Sequence, residues 1–106
     1  MIKIKEYKRL ILEHKFYGAH EVLEEFWFPR RKQKDNLTLI IKGFINAAVA
    51  FELQKRGKLK SSKRVWQTYL KFMQLLSKEP INELLELKKF VDKFAKIYLI
   101  NNTKML

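Results

Sequence analysis

At 106 residues the chain has room for one domain. Hydrophobic residues make up 47%, enough for a core, and long periodic apolar segments set the chain apart from disordered sequences despite 32% charged residues. The absence of cysteine excludes a disulfide scaffold, a thiolate zinc finger and cysteine catalysis, and 3 Gly with 2 Pro are too few for collagen, a low-complexity linker or a turn-rich β-sandwich. Lys plus Arg number 23 against 11 Asp plus Glu, a net charge of +12.

The spacing of apolar residues predicts an all-α fold, a compact bundle of four to five helices in a single domain over residues 1–106. The first helix is expected over 2–13, with Ile4, Tyr7, Leu10 and Ile11 on one face. The second is expected over 16–28, stopped by Pro29, with a stripe of Phe16, Ala19, Leu23, Phe26 and Trp27. A basic loop follows, and Asp35 or Asn36 is placed to cap the next helix. That third helix, 37–56, is apolar nearly all round and closes on Gly57, so it is the predicted central element. Its small face, Gly43, Ala47 and Ala50, is expected to receive the bulky Phe16, Leu23 and Trp27 of the second helix.

The fourth helix is expected over 60–77, with Ser61 and Ser62 as caps and Val65, Trp66, Tyr69, Phe72, Met73 and Leu76 facing inward. Pro80 separates it from a last helix over 81–100, built on Leu84, Leu87, Val91, Phe94 and Tyr98. There, Asp92 and Lys96 read as a solvent-side i,i+4 pair. Residues 101–106 read as a frayed tail. The N-terminus carries no apolar signal sequence, and the nearly uncharged stretch 37–51 is short for a membrane span, so a cytoplasmic location and no membrane span are expected.

The chemistry concentrates in the second helix. His20 and Glu24 stand four apart and share a face with Trp27, while Glu21 and Glu25 form a second pair about 100° away. An imidazole and a carboxylate beside an apolar stripe need partners, and Asn46 on the facing helix is a candidate, with His14 and Tyr17 near enough in sequence to join. Three readings stay open: a structural His20/Glu24/Asn46 cluster, a divalent-metal site with His20 and Glu24 as ligands, and a His–Glu acid–base pair.

The run Phe16-Tyr17-Gly18-Ala19-His20-Glu21-Val22-Leu23-Glu24-Glu25-Phe26-Trp27 resembles the hallmark of domain-of-unknown-function family 309, in which Ala-His-Glu-x-Leu-Glu-x-x-Trp follows an aromatic-rich turn. A second block, Gly43-Phe44-Ile45-Asn46-Ala47-Ala48-Val49-Ala50 and then Lys55-Arg56-Gly57-Lys58, is similar to the family's second block, with Asn46 in place of its usual Gln and Lys58 in place of its Asn. The resemblance covers about residues 13–76. It implies a small helical bundle and no established activity, and it puts His20, Glu21, Glu24, Trp27 and Asn46 at any shared site; no cofactor is expected, a divalent metal at His20 and Glu24 being the alternative.

Residues 53–78 contain no acid. Lys60, Arg64, Lys71 and Lys78 fall within about 40° of arc on the fourth helix, and Arg30, Arg31 and Lys32 add a basic loop. Such a surface suits phosphate backbones or an acidic partner, and equally a solvated face. The sequence therefore predicts a non-catalytic binding or adaptor module, partnered by another protein or by itself. A nucleic-acid-binding protein and a metal-dependent hydrolase centred on His20 and Glu24 are the alternatives.

Overall fold

The computed structural model describes residues 2–103, and the side chains of residues 2–99. Five helices carry the chain: α1 (Ile4–Leu12), α2 (Phe16–Trp27), α3 (Asn36–Lys55), α4 (Leu59–Met73) and α5 (Asn82–Thr103). Short 3-10 turns follow α2 (Phe28–Arg30) and α4 (Gln74–Ser77). No strand occurs among the described residues.

Helix ends follow local chemistry. Asp35 takes a β conformation, and its carboxylate accepts the Thr38 amide hydrogen at 2.8 Å, capping α3. Pro29 has no N–H to give an α-helix and sits inside the first 3-10 turn. Helix α3 ends with Gly57 at φ +78°, with the Gly57 amide on the Gln54 carbonyl and the Lys58 amide on the Leu53 carbonyl. The end of α1 repeats this geometry with His14 at φ +59° in the glycine place.

Helix α3 is the centre. Eleven of its residues are buried, and α2 and α4 both pack along it. It is long and apolar enough by length and composition to cross a membrane, and in the bundle it is the core helix. Tyr7 of α1, fully buried, donates its hydroxyl to the Phe44 carbonyl of α3 at 2.8 Å. Helix α5 packs on α3 and α1, where Leu84, Leu87, Val91 and Ala95 complete the core.

Four expectations need correction. The small face of α3 meets α4, not α2: a Cβ on Gly43 would lie 2.7 Å from Met73 Cε and 3.0 Å from Phe72 Cβ. What α2 brings to α3 is instead an aromatic contact, Phe16 against Phe51 at 5.5 Å. Ser61 and Ser62 do not cap α4, which begins at Leu59 without a side-chain cap. Ser62 lies within the helix and donates its buried hydroxyl to the Ala50 carbonyl at 2.8 Å, tying α4 to that small face. Asp92 pairs with Lys88 at 2.6 Å rather than with Lys96, and it also accepts the Tyr69 hydroxyl at 2.8 Å. Finally, α5 runs on to Thr103, so residues 101–103 of the expected tail are helical; residues 104–106 lie outside the described residues.

Candidate functional site

One turn of α2 carries the polar pair. His20 Nε2 lies 3.4 Å from Glu24 Oε2, the i,i+4 spacing at work. The Tyr17 ring, one turn earlier and exposed, sits 5.6 Å from the imidazole. His20 opens onto a small groove of about 270 Å³ between α2 and α3, with Ala48, Val49 and Glu52 on its far side. There, Glu52 is held by Arg56 at 2.6 Å. The His20 Nδ1 is buried with no hydrogen-bond partner.

Glu24 also borders the other flank of α2. With Glu21, Glu25 and Glu6 it lines a cleft of about 540 Å³ between α1 and α2. Glu25 is neutralised by Lys3 at 3.3 Å. The pair thus straddles the ridge of α2, with the imidazole toward α3 and the carboxylate toward α1.

The remaining members of the expected cluster lie apart. Asn46 is half-buried on α3, outside the residues that line the His20 groove. His14 stacks on Phe16 at 5.3 Å and meets Tyr98 edge-on at 5.1 Å, which places it beside α5. Trp27 is half-buried, with the Lys42 ammonium 4.2 Å above its ring. Among the described residues, no three His, Asp or Glu side chains converge in a way that could hold a metal ion, so His20 and Glu24 offer two donors and no third. Glu52 and Arg56, which face His20, were not anticipated; their signal was the antiparallel register that an eight-residue connection between α2 and α3 imposes.

A half-exposed i,i+4 pair of this kind contributes little. Glu24→Gln is expected to lower unfolding free energy by less than about 0.5 kcal/mol, read from urea denaturation followed by circular dichroism. A loss several times larger would mean that the pair locks helix register.

The basic residues divide into two groups. Lys60, Lys63, Arg64 and Lys71 of α4, and Lys78 just beyond it, are all exposed, and none pairs with a carboxylate among the described residues. The loop arginines are tied down. Arg30 reaches Asp35 at 3.2 Å and Thr38 at 3.3 Å and lies over the Phe26 ring. Arg31 lies 3.8 Å from the Phe28 ring centre and donates to the Phe28 carbonyl at 2.7 Å. Lys32 is exposed.

These features define a small all-helical protein with a polar pair astride its second helix and a free cationic face on its fourth. The model of the family described as a domain of unknown function, DUF309, matches residues 4–65, more than half of the chain, and the chain belongs to that family. The matched span starts earlier and ends sooner than the resemblance in the sequence suggested; it takes in His20, Glu24 and Asn46 and stops one residue before Trp66. Neither a curated protein nor a solved structure matches the chain significantly.

Proposed function

We propose that the protein is a non-catalytic binding module that holds nucleic acid through the outward face of α4. The observation that carries this reading is the row of Lys60, Lys63, Arg64, Lys71 and Lys78, which is exposed, without carboxylate partners among the described residues, and on the side of α4 opposite its buried Tyr69 and Met73. A cation already paired gives a phosphate little, whereas a free one releases a counterion from the nucleic acid when it binds. The charge is also segregated. Helices α2 and α4 pack on the same central α3, and the acidic cleft belongs to the α1/α2 flank. Over residues 3–25 five cations are balanced by five carboxylates, whereas residues 53–78 hold no acid, so a polyanion is steered to α4.

Catalysis is not part of the reading, which rests on the α4 face; among the described residues no third metal donor accompanies the His20–Glu24 pair. Arg30 and Arg31, engaged within their own loop, play at most an auxiliary part.

The test is fluorescence anisotropy with a labelled single-stranded oligonucleotide at rising KCl. With about four phosphates contacted, log K is expected to fall against log salt with a slope near −3 (roughly −0.7 per phosphate). Arg64→Glu with Lys71→Glu is expected to abolish binding at physiological salt. Salt-independent binding, no binding at low salt, or full binding by the double variant would reject the proposal.

A further inference from the structure

Between α4 and α5 lies a groove of about 600 Å³, within the range of small-molecule sites and more than twice the volume of the His20 groove. Its lining combines apolar, amide and cationic side chains. Trp66 and Leu70 form one wall, and Ala95 and Leu99 the other. Lys63 and Lys96 stand at its rim, both exposed. Asp92 also lines it, but its two oxygens are engaged by the Tyr69 hydroxyl and the Lys88 ammonium, so its charge is locally balanced.

The floor holds the decisive residue. Gln54 of α3 lines the groove and is only 8% exposed, and its Nε2 is buried with no hydrogen-bond partner. A buried amide donor left unpaired costs free energy that a ligand can recover. The terminal amide torsion is broad and roughly two-fold, so the carboxamide can turn its donor or its acceptor toward the groove. Ser62, beside it, spends its hydrogen on the Ala50 carbonyl and keeps acceptor capacity.

A half-buried indole, a carboxamide that can both donate and accept, and two cations at the mouth are complementary to one chemistry. That chemistry is a planar heterocycle with hydrogen-bonding edges joined to a phosphate. We infer that the α4/α5 groove is a nucleotide site, with the base lodged along Trp66, its edge met by the Gln54 amide, and its phosphate at Lys63 and Lys96. Lys63 also belongs to the cationic row of α4, so a base leaving a strand bound there enters this groove without its backbone leaving the row. The inference rests on the nucleic-acid reading for a strand, while a free nucleotide would use the same contacts. Gln54, Ser62 and Lys63 lie within the family-matched span, while Trp66, Leu70 and the α5 residues of the groove lie beyond it.

The experiment is ¹H–¹⁵N correlation spectroscopy on the full chain, titrated separately with AMP and with a short single-stranded oligoadenylate. The Trp66 indole and Gln54 side-chain signals are expected to shift with both. Gln54→Leu is expected to weaken AMP binding about fivefold while leaving stability equal or higher, because it removes the unpaired donor. Trp66→Leu is expected to weaken it roughly tenfold. If the oligonucleotide shifts α4 amides but neither Trp66 nor Gln54, the groove inference falls and the α4 reading stands. Groove shifts with AMP but no oligonucleotide binding would support the groove and sink the α4 reading. Silence with both ligands, or unchanged AMP affinity in Gln54→Leu, overturns the inference.

Discussion

Gly43→Leu is expected to destabilise the protein by about 3 kcal/mol, a large share of the stability of a domain this size. The cause is the distance at which α3 and α4 cross. A Cβ at residue 43 would lie 2.7 Å from Met73 Cε and 3.0 Å from Phe72 Cβ. The Met73 methyl is the far end of a flexible side chain and can swing away. Phe72 Cβ is fixed to its backbone, so a larger side chain must push the helices apart. That movement would also stretch the Ser62 hydroxyl from the Ala50 carbonyl, two turns farther along the same contact. Gly43→Ala separates the two effects. It gains about 1 kcal/mol of helix propensity and meets a tight contact that Met73 partly relieves, so a net change near zero is expected. Urea midpoints for both variants, with unchanged slopes, check the pair. Equal stability of the leucine variant and the native protein would show that α3 and α4 are not closely apposed.

Gly43 also shows where sequence reading stops. Apolar spacing identified the helices because each buries a stripe in the shared core, and Pro29, Gly57 and Asp35 mark ends through the backbone chemistry that they force. Periodicity says which residues share a face but not which neighbour that face meets. The small face of α3 was therefore legible as a face, while its partner, α4, was not. His14 was misplaced for a different reason. Its left-handed backbone turns the chain at the end of α1, and that conformation is usual for glycine rather than histidine.

The candidate site was legible to the same degree. The i,i+4 rule placed His20 beside Glu24, but no rule of spacing could show that Asn46 falls outside their groove. Gln54 carried a readable signal, since it continues the track of Ala47 and Ala50 at helical spacing, which makes it a polar group on a buried face. Asp92 looked solvent-facing because its partner, the Tyr69 hydroxyl, comes from another helix 23 residues away.

Alkaline pH is expected to unfold the protein steeply, and two phenols are the reason. Burial pushes the ionisation of Tyr7 far above the usual tyrosine range. Burial does the same to Tyr69, helped by its hydrogen bond to the Asp92 carboxylate and by that carboxylate's charge. In the unfolded chain both ionise near pH 10. Below that pH the native and unfolded states hold the same two protons, and the phenols add no pH dependence. Above it the unfolded chain loses protons that the native state keeps, so stability falls as pH rises, by about 2.7 kcal/mol per unit for the two together. Lysine titration adds a background common to native and variant proteins. Tyr7→Phe removes one phenol, and the mean slope of unfolding free energy between pH 10 and 11.5 is expected to become shallower by about 1.1 kcal/mol per unit, rising toward about 1.4 at the upper end. A second readout comes from the native protein itself. Tyr7 and Tyr69 are expected to gain tyrosinate absorbance only in the step that loses helical circular dichroism. Complete tyrosinate formation with the helices intact would mean that these hydroxyls reach water, and that the links from α1 to α3 and from α4 to α5 are not the ones described.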